Sequence, residues 1–377
     1  MNKQGIAGWG ALFLAALAQT PRAGAFDLQI HGFSDLVGSM SNTDFQLDGI
    51  QNRGSRLSLD PETAFGLNLS ADLGNDLIFY TQLVGAGDDN GQYKVGVDWL
   101  FVTYRPTEAF AIRAGRQINP LFLYAEQADV GFTYLWTRLP YEVYSLYPLN
   151  SFTGLSVFYT FFLGDLRLKA DLFGGAGDVT VPLPGAVVLG HADDLKGIEV
   201  SLSSDHFKLH AAYISSNPTG TVTASALLSS TPAGTISGTF EEPLDLGTLQ
   251  ILSGGGNFEC KKLMGAAEVI REQASGSFLS AATGAYASLG YHVLPWLTPY
   301  LMHSWQGNLS GSSFAFMPTA TVSMQETDQH AEVFGLVFKL SPSVLLKNEI
   351  MRTQENFQDP TQNFAAITFT ASVDLVF

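Results

Sequence analysis

The chain has 377 residues and a formal net charge of −16, with 14% charged, 46% hydrophobic and 12% aromatic residues. So acidic a chain lacks the basic face that nucleic-acid binding requires. Its charged fraction lies well under the ~25% of soluble globular chains, which argues against the two soluble domains its length would allow. The single cysteine, Cys260, excludes a disulfide framework and a cysteine-based metal site.

The first segment, Met1 to Ala25, reads as a secretory signal peptide. Lys3 supplies the positive region, Ile6 to Ala18 the short apolar run, and Ala23-Gly24-Ala25 a small-residue cleavage pattern. The run is shorter than the ~20 residues of a spanning helix, and no later stretch is continuously apolar over that length. The mature chain is expected to begin at Phe26 and to form one domain over 26–377.

From there the pattern has period two. Phe65, Leu67, Leu69 and Leu73 alternate with Asn68, Ser70 and Asp72. Leu166, Leu168 and Leu172 alternate with Arg167, Lys169 and Asp171. Ile198, Val200 and Leu202 alternate with Glu199, Ser201 and Ser203, and Phe207, Leu209, Ala211 and Tyr213 with Lys208 and His210. At the end, Ala365, Ile367, Phe369, Ala371, Val373, Leu375 and Phe377 share one face, while Thr368, Thr370, Ser372 and Asp374 share the other. Amphipathic strands of roughly ten residues suit a tilted transmembrane wall.

About sixteen such segments are read, joined by links that alternate in length. Short links are Gly74-Asn75-Asp76, Pro106-Thr107-Glu108, Gly164-Asp165, Ser204-Asp205-His206, Leu294-Pro295 and Ser341-Pro342-Ser343. Long ones run from Asp88 to Tyr93, Asn119 to Asn150, Ala176 to Asp194, Asn217 to Asp245, Gly307 to Asp328 and Gln354 to Asn363. The expected fold is all-β: a transmembrane antiparallel up-and-down β-barrel. It closes because lipid tolerates no open strand edge, with short periplasmic turns and long extracellular loops. Tyr80, Tyr104, Phe110, Tyr159, Phe161, Trp296, Tyr300 and Trp305, near strand ends, are expected in interface girdles.

Two stretches resemble the Gram-negative outer-membrane porin superfamily. One is the terminus Ala371-Ser372-Val373-Asp374-Leu375-Val376-Phe377, an alternating strand ending in Phe. The other, Asn52-Arg53-Gly54-Ser55-Arg56-Leu57, looks like the start of a second porin strand. The resemblance implies a sixteen-stranded barrel in the cell outer membrane, usually trimeric. It implies passive diffusion of small hydrophilic solutes and ions, with Phe377 read by the barrel-assembly machinery. The Thr-, Ser- and Ala-rich link from Asn217 to Asp245 departs from that pattern.

Strand parity places Arg113, Arg167, Lys169, Asp171, Glu199, Lys208, His210, Lys347, Glu349 and Asp374 on the interior face. Charge belongs there, because rings of charged side chains set ion preference. The link 119–150 carries Leu121, Phe122, Leu123, Phe132, Tyr134, Leu135 and Trp136, which would be poorly soluble outside. In porins the loop after the fifth strand narrows the pore, and this link has that place. Its Glu126 and Asp129 are expected to face Arg56 and Arg113 across the lumen, making a transverse field. The alternative is that its apolar side chains pack on a neighbouring subunit.

Acids in the long links (Asp88, Asp89, Asp193, Asp194, Glu241, Glu242, Asp245, Glu326, Asp328 and Asp359) serve solubility or bind divalent cations that bridge to lipopolysaccharide. Outer-membrane lipid is the expected surround, and no cofactor is expected. Asp193-Asp194 and Asp205-His206 look like the acidic pairs of barrel proteases, but one strand separates them, placing them on opposite sides of the membrane. His303-Ser304 is similar to the pair of an outer-membrane phospholipase, yet strand neighbours point to opposite faces. The reading is therefore a porin and not an enzyme. A channel specific for sugars, carboxylates or anions, and a structural or adhesive barrel, are the alternatives.

Overall fold

The structure is a computed structural model describing residues 27–43, 54–59, 62–87, 93–147, 149–183, 186–231, 234–244, 247–275, 281–307, 313–317, 320–323, 327–357, 361 and 363–377. The segment 1–25 expected to be a signal peptide, Asn52, Arg53, Asp88, Asp89, Asp245, Glu326, Asp359 and the side chains of Glu241 and Glu242 lie outside the described residues.

The first five strands are β1 (Asp27–Ser41), β2 (Ala64–Gly74), β3 (Leu77–Gly87), β4 (Tyr93–Tyr104) and β5 (Phe110–Ile118). The next four are β6 (Ser151–Leu163), β7 (Leu166–Leu183), β8 (Ala186–Ser203) and β9 (Phe207–Ser216). There follow β10 (Thr219–Thr231), β11 (Gly234–Leu244), β12 (Leu249–Cys260), β13 (Leu263–Ala274), β14 (Ala282–Tyr291) and β15 (Leu297–Gly307). Last come β16 (Ser313–Met317), β17 (Ala320–Ser323), β18 (Thr327–Ser341), β19 (Val344–Phe357) and β20 (Phe364–Val376). Each barrel strand pairs antiparallel with its neighbours, and β1 closes the sheet by pairing with both β2 and β20. Eighteen strands form that sheet; β10 and β11 branch from β8, which leaves sixteen in the closed wall.

Alternation sorts the side chains as the period-two pattern requires. On β6, Leu155, Val157, Tyr159, Phe161 and Leu163 are exposed on the outer wall, while Phe152, Ser156 and Phe158 are buried inside. On β20, Ile367 and Phe369 face out, and Ala366, Thr368, Thr370, Ser372 and Asp374 face in and are buried. The turn from β2 to β3 holds Asn75 and Asp76 at φ 53° and 63°. These residue types tolerate the left-handed region that tight hairpin turns need.

Three expectations are corrected. The described residues of the long links 176–194 and 217–245 are mostly strand and not loop. β7 and β8 run on past the barrel, and β10 and β11 add to the extended part of β8. Their Val- and Thr-rich sequence favours strand over coil. The stretch around Arg56 is a turn before β2, touching β1 through a Ser39–Ser58 bridge. Finally, Tyr104, Tyr159, Phe161 and Trp296 stand exposed on the outer wall, but Tyr80 and Tyr300 point inward. Tyr80 packs 5.2 Å from the buried Phe101 ring, and Tyr300 shares its face with the buried Thr298, Met302 and Ser304. Strand face, rather than nearness to a strand end, decides which aromatics reach the interface.

Candidate functional site in the barrel lumen

Between β5 and β6 the segment 119–150 folds into the barrel. It contains short 3-10 turns at Ala125–Gln127 and Gly131–Thr133 and one helical turn, α1 (Tyr141–Tyr144). Leu121, Leu123, Trp136, Val143 and Leu146 are buried against inward residues of the wall, among them Ile214, Ile251, Ile270, Met302, Val333 and Met351. Trp136 meets Tyr124 and Tyr286 edge-on at 5.7 and 5.6 Å. Each fully buried large apolar side chain contributes about 1.5–3 kcal/mol, so this half of the lumen is a packed core. Close approach is required at Gly284 on β14, where an added methyl group would collide with the Glu142 carbonyl oxygen of α1.

Polar wall residues hold the loop by its main chain. Inward carboxylates accept its N–H groups: Leu123 N–H donates to Glu268 at 2.7 Å, Gly131 N–H to Asp35 at 2.8 Å, and Thr137 N–H to Glu349 at 2.7 Å. Inward donors take its carbonyls. Lys347 Nζ donates to Gly131 O at 2.6 Å and Trp136 O at 2.8 Å, and His210 Nε2 lies 2.9 Å from Leu121 O. Lys208 Nζ reaches Leu123 O at 3.5 Å, and Ser253 Oγ also donates to Leu121 O. Lys347 is balanced by Asp374 at 2.8 Å. In return the loop's Glu142 accepts from Ser304 at 2.8 Å and Gln329 at 2.9 Å. Buried main-chain groups need such partners.

The expected pore residues therefore divide. Lys347 and Glu349 are buried under the loop and anchor it, instead of lining an open passage. Glu199 is also buried, 3.4 Å from His210 and 4.0 Å from Lys169. On the opposite part of the wall the charges keep contact with water. Arg167 is exposed, and Lys169, Lys208 and Arg113 are half-buried. Arg113 lies 4.2 Å above the Phe101 ring and 4.8 Å from Phe158, and Lys169 Nζ lies 4.7 Å from Phe158. These are cation–π distances.

The expected pairing across the lumen is corrected in part. Arg113 does reach Glu126, at 3.9 Å, and that carboxylate is 54% exposed. Asp129, however, lies against another acid, Asp98 of β4, and burial with that neighbour pushes it up to about 7. Arg56 is exposed in the turn before β2, outside the strand expected to aim it inward. Asp35, Asp98, Glu142 and Glu268 escaped the sequence reading. The inward parity of Glu268, one residue before the outward Val269, was the available signal.

The residue pairs weighed for catalysis stay apart. Asp205-His206 lies in the turn after β8, whereas Asp193 and Asp194 sit far up that strand, and Asp194 accepts from Asn217 N–H at 2.7 Å. His303 is on the outer wall while Ser304 is buried inside.

A closed sixteen-stranded antiparallel barrel with an apolar outer wall and a loop folded into its lumen defines a porin-like outer-membrane β-barrel. By structure, the chain is similar to the outer-membrane-expressed OmpT of Vibrio cholerae, with TM-score 0.55 at 10% identity over 95% of this chain and 99% of that one. It is also similar to an anion-selective porin from Comamonas acidovorans, with TM-score 0.53 at 12% identity over 93% and 100% of the two chains. OmpF of Salmonella typhi, in a complex with daunomycin, matches with TM-score 0.53 at 12% identity over 93% and 97%. No family model matches the sequence, and no curated protein matches it. What these likenesses share with the chain is the outer-membrane β-barrel fold.

Proposed function

We propose that the protein is a porin, passing small hydrophilic solutes and ions passively through the lumen between loop 119–150 and the wall of β4 to β9. The observation that carries this reading is the division of the interior. One half is filled by the packed loop, and the other presents charged, water-accessible Arg113, Glu126, Arg167, Lys169 and Lys208. Charge inside a barrel with an apolar outside serves solutes in the lumen. The packed half favours a narrow, selective path over a wide one, and one structurally similar barrel is an anion-selective porin. Export by the segment 1–25 and contact with lipopolysaccharide accompany this reading.

The test is electrical. Full-length protein, purified folded and added to planar lipid bilayers, is expected to give discrete conductance steps. Reversal potential under a salt gradient then reports which ion sign passes. Protein that inserts and stays silent at all voltages removes the porin reading in favour of a structural barrel.

A further inference from the structure

Where β7 and β8 leave the barrel wall, one rung of their hairpin carries a histidine between two acids. The last pairing of β6 with β7 joins Thr153 to Ala176. Two residues further, Asp178 of β7 stands directly opposite His191 of β8. On the other side of β8, His191 pairs with Thr219, the first residue of β10. Three strands thus meet at His191, just above the point where the register of β7 and β8 shifts, between Gly175 and Gly177. Asp193 lies two residues along β8 and so shares the His191 face.

The ring is met at both nitrogens. Nδ1 faces the Asp178 carboxylate, and Nε2 lies 2.9 Å from Asp193 Oδ1. All three side chains are exposed, His191 to 44% and both acids to 84%. The neighbouring groups have partners of their own. Asp194 accepts from Asn217 N–H at 2.7 Å and faces Lys196, and Asn217 Oδ1 accepts from Thr248 at 2.7 Å. From β10 the Thr219 hydroxyl donates to the His191 main-chain carbonyl at 3.4 Å. The charges acting on the ring are therefore Asp178 from β7 and Asp193 from its own strand. A neutral imidazole offers one N–H and one lone pair, whereas the imidazolium donates from both nitrogens. With a carboxylate at each nitrogen, only the imidazolium satisfies both. Loss of its proton turns a lone pair toward one acid and leaves two like charges on one face of the sheet, which is destabilising.

We propose that His191 is a proton-operated latch at the root of the sheet that the extended parts of β7 and β8 form with β10 and β11. It is closed with the ring charged and open with the ring neutral. The sign follows from linkage. Its hydrogen bonds to Asp178, and then to Asp193, raise the ring above the ordinary histidine value. The closed rung therefore holds the proton more tightly than the opened one. The latch is fully engaged below the ordinary histidine value and is lost as pH rises through the raised one. Segments that open locally at low cost turn a modest change in one contact into a clear change in amide exchange. The inference rests on the strand pairing at the barrel rim and not on conduction.

The experiment is hydrogen–deuterium exchange on the folded protein in mild detergent, corrected for the intrinsic pH dependence of exchange. Amides of 177–183, 186–191 and 219–224 are expected to exchange several-fold more slowly at about pH 5 than at about pH 8, the range over which histidine titrates. Those of β15 serve as the reference and should not change. His191→Gln should give the faster exchange at both pH values. Asp178→Asn with Asp193→Asn should also abolish the difference, because the ring then has no pair of acids to bridge. The gel shift on heating confirms that each variant has folded, and the comparison of the unaltered protein at two pH values needs no variant at all. Equal protection of the extension at both pH values, a difference that survives His191→Gln, or a change in β15 as large as that in the extension would each overturn the latch.

Discussion

Lys347 of β19 and Asp374 of β20 form an ion pair of 2.8 Å inside the barrel, with side chains 0% and 2% exposed. Lys347 spends its remaining protons on the carbonyls of Gly131 and Trp136, so one ammonium ties the wall to two points of the loop. Replacing it by Met strands Asp374 as a buried charge and frees both carbonyls. Removing one partner of such a pair costs about 3–5 kcal/mol. Lys347→Met is expected to lower thermal stability and raise single-channel conductance. An unchanged melting temperature would refute the anchoring role.

The aromatic centre of the loop makes a second prediction. Trp136 is 2% exposed and packs among Tyr124, Tyr134 and Tyr286. Deleting such a side chain costs about 3–5 kcal/mol. Trp136→Ala is expected to leave the barrel strands intact by circular dichroism while increasing protease cleavage within 119–150. Wild-type protease resistance of the loop would count against the packed lumen.

Gly284→Ala tests the same docking from the wall side. The added methyl group meets the Glu142 main chain, and overpacking of this kind costs about 1–3 kcal/mol. The loop should be displaced near α1, read as a larger and noisier conductance. A channel record identical to wild type would show that α1 yields freely there.

Asp129 predicts a pH dependence. Its carboxyl is raised from 3.8 to about 7 in the docked loop, by burial and then by Asp98. A docked state with the higher pKa binds more protons, so docking is favoured at low pH and weakens as pH rises through about 7. Time spent in the widest conductance level should therefore grow from about pH 5 to about pH 8, and Asp129→Asn should flatten that dependence. A slope that survives the substitution assigns the titration to another group.

The pair of half-buried Arg113 and exposed Glu126, 3.9 Å apart, should matter for ions and little for stability. Exposed ion pairs contribute about 0–1 kcal/mol, so Glu126→Gln is expected to leave the melting temperature in place. With its counter-charge removed, Arg113 should move the reversal potential toward anion preference. No movement in either direction means the pair lies off the conduction path.

The wall was legible in the sequence because lipid enforces period two: outward Leu, Phe and Tyr cannot alternate by accident over so many strands. The loop's place and its apolar content were legible for the same reason, since Leu121 to Trp136 had no good home in water. Its partners were not. Which carboxylate meets Asp129 depends on how 32 residues coil in a closed space, and that path set Asp98 beside it instead of Arg56. Nor does alternation separate Lys169, which keeps water, from Lys347, which loses all of it. Both face inward, and only the loop's position distinguishes them.

Glu268, Asp35 and Glu349 grip N–H groups, while Lys347, His210 and Lys208 grip carbonyls, and only Glu268 and Glu349 among them also take a loop side chain, the hydroxyls of Tyr144 and Thr137. The polar part of the socket thus holds the ribbon largely by its main chain, while its apolar part is filled by buried side chains such as Trp136. Side chains of the loop that face the water, Glu126 first among them, are interchangeable parts on a fixed mount. On the proposed porin reading, selectivity is rewritten there one residue at a time, with the loop's main-chain anchors unchanged.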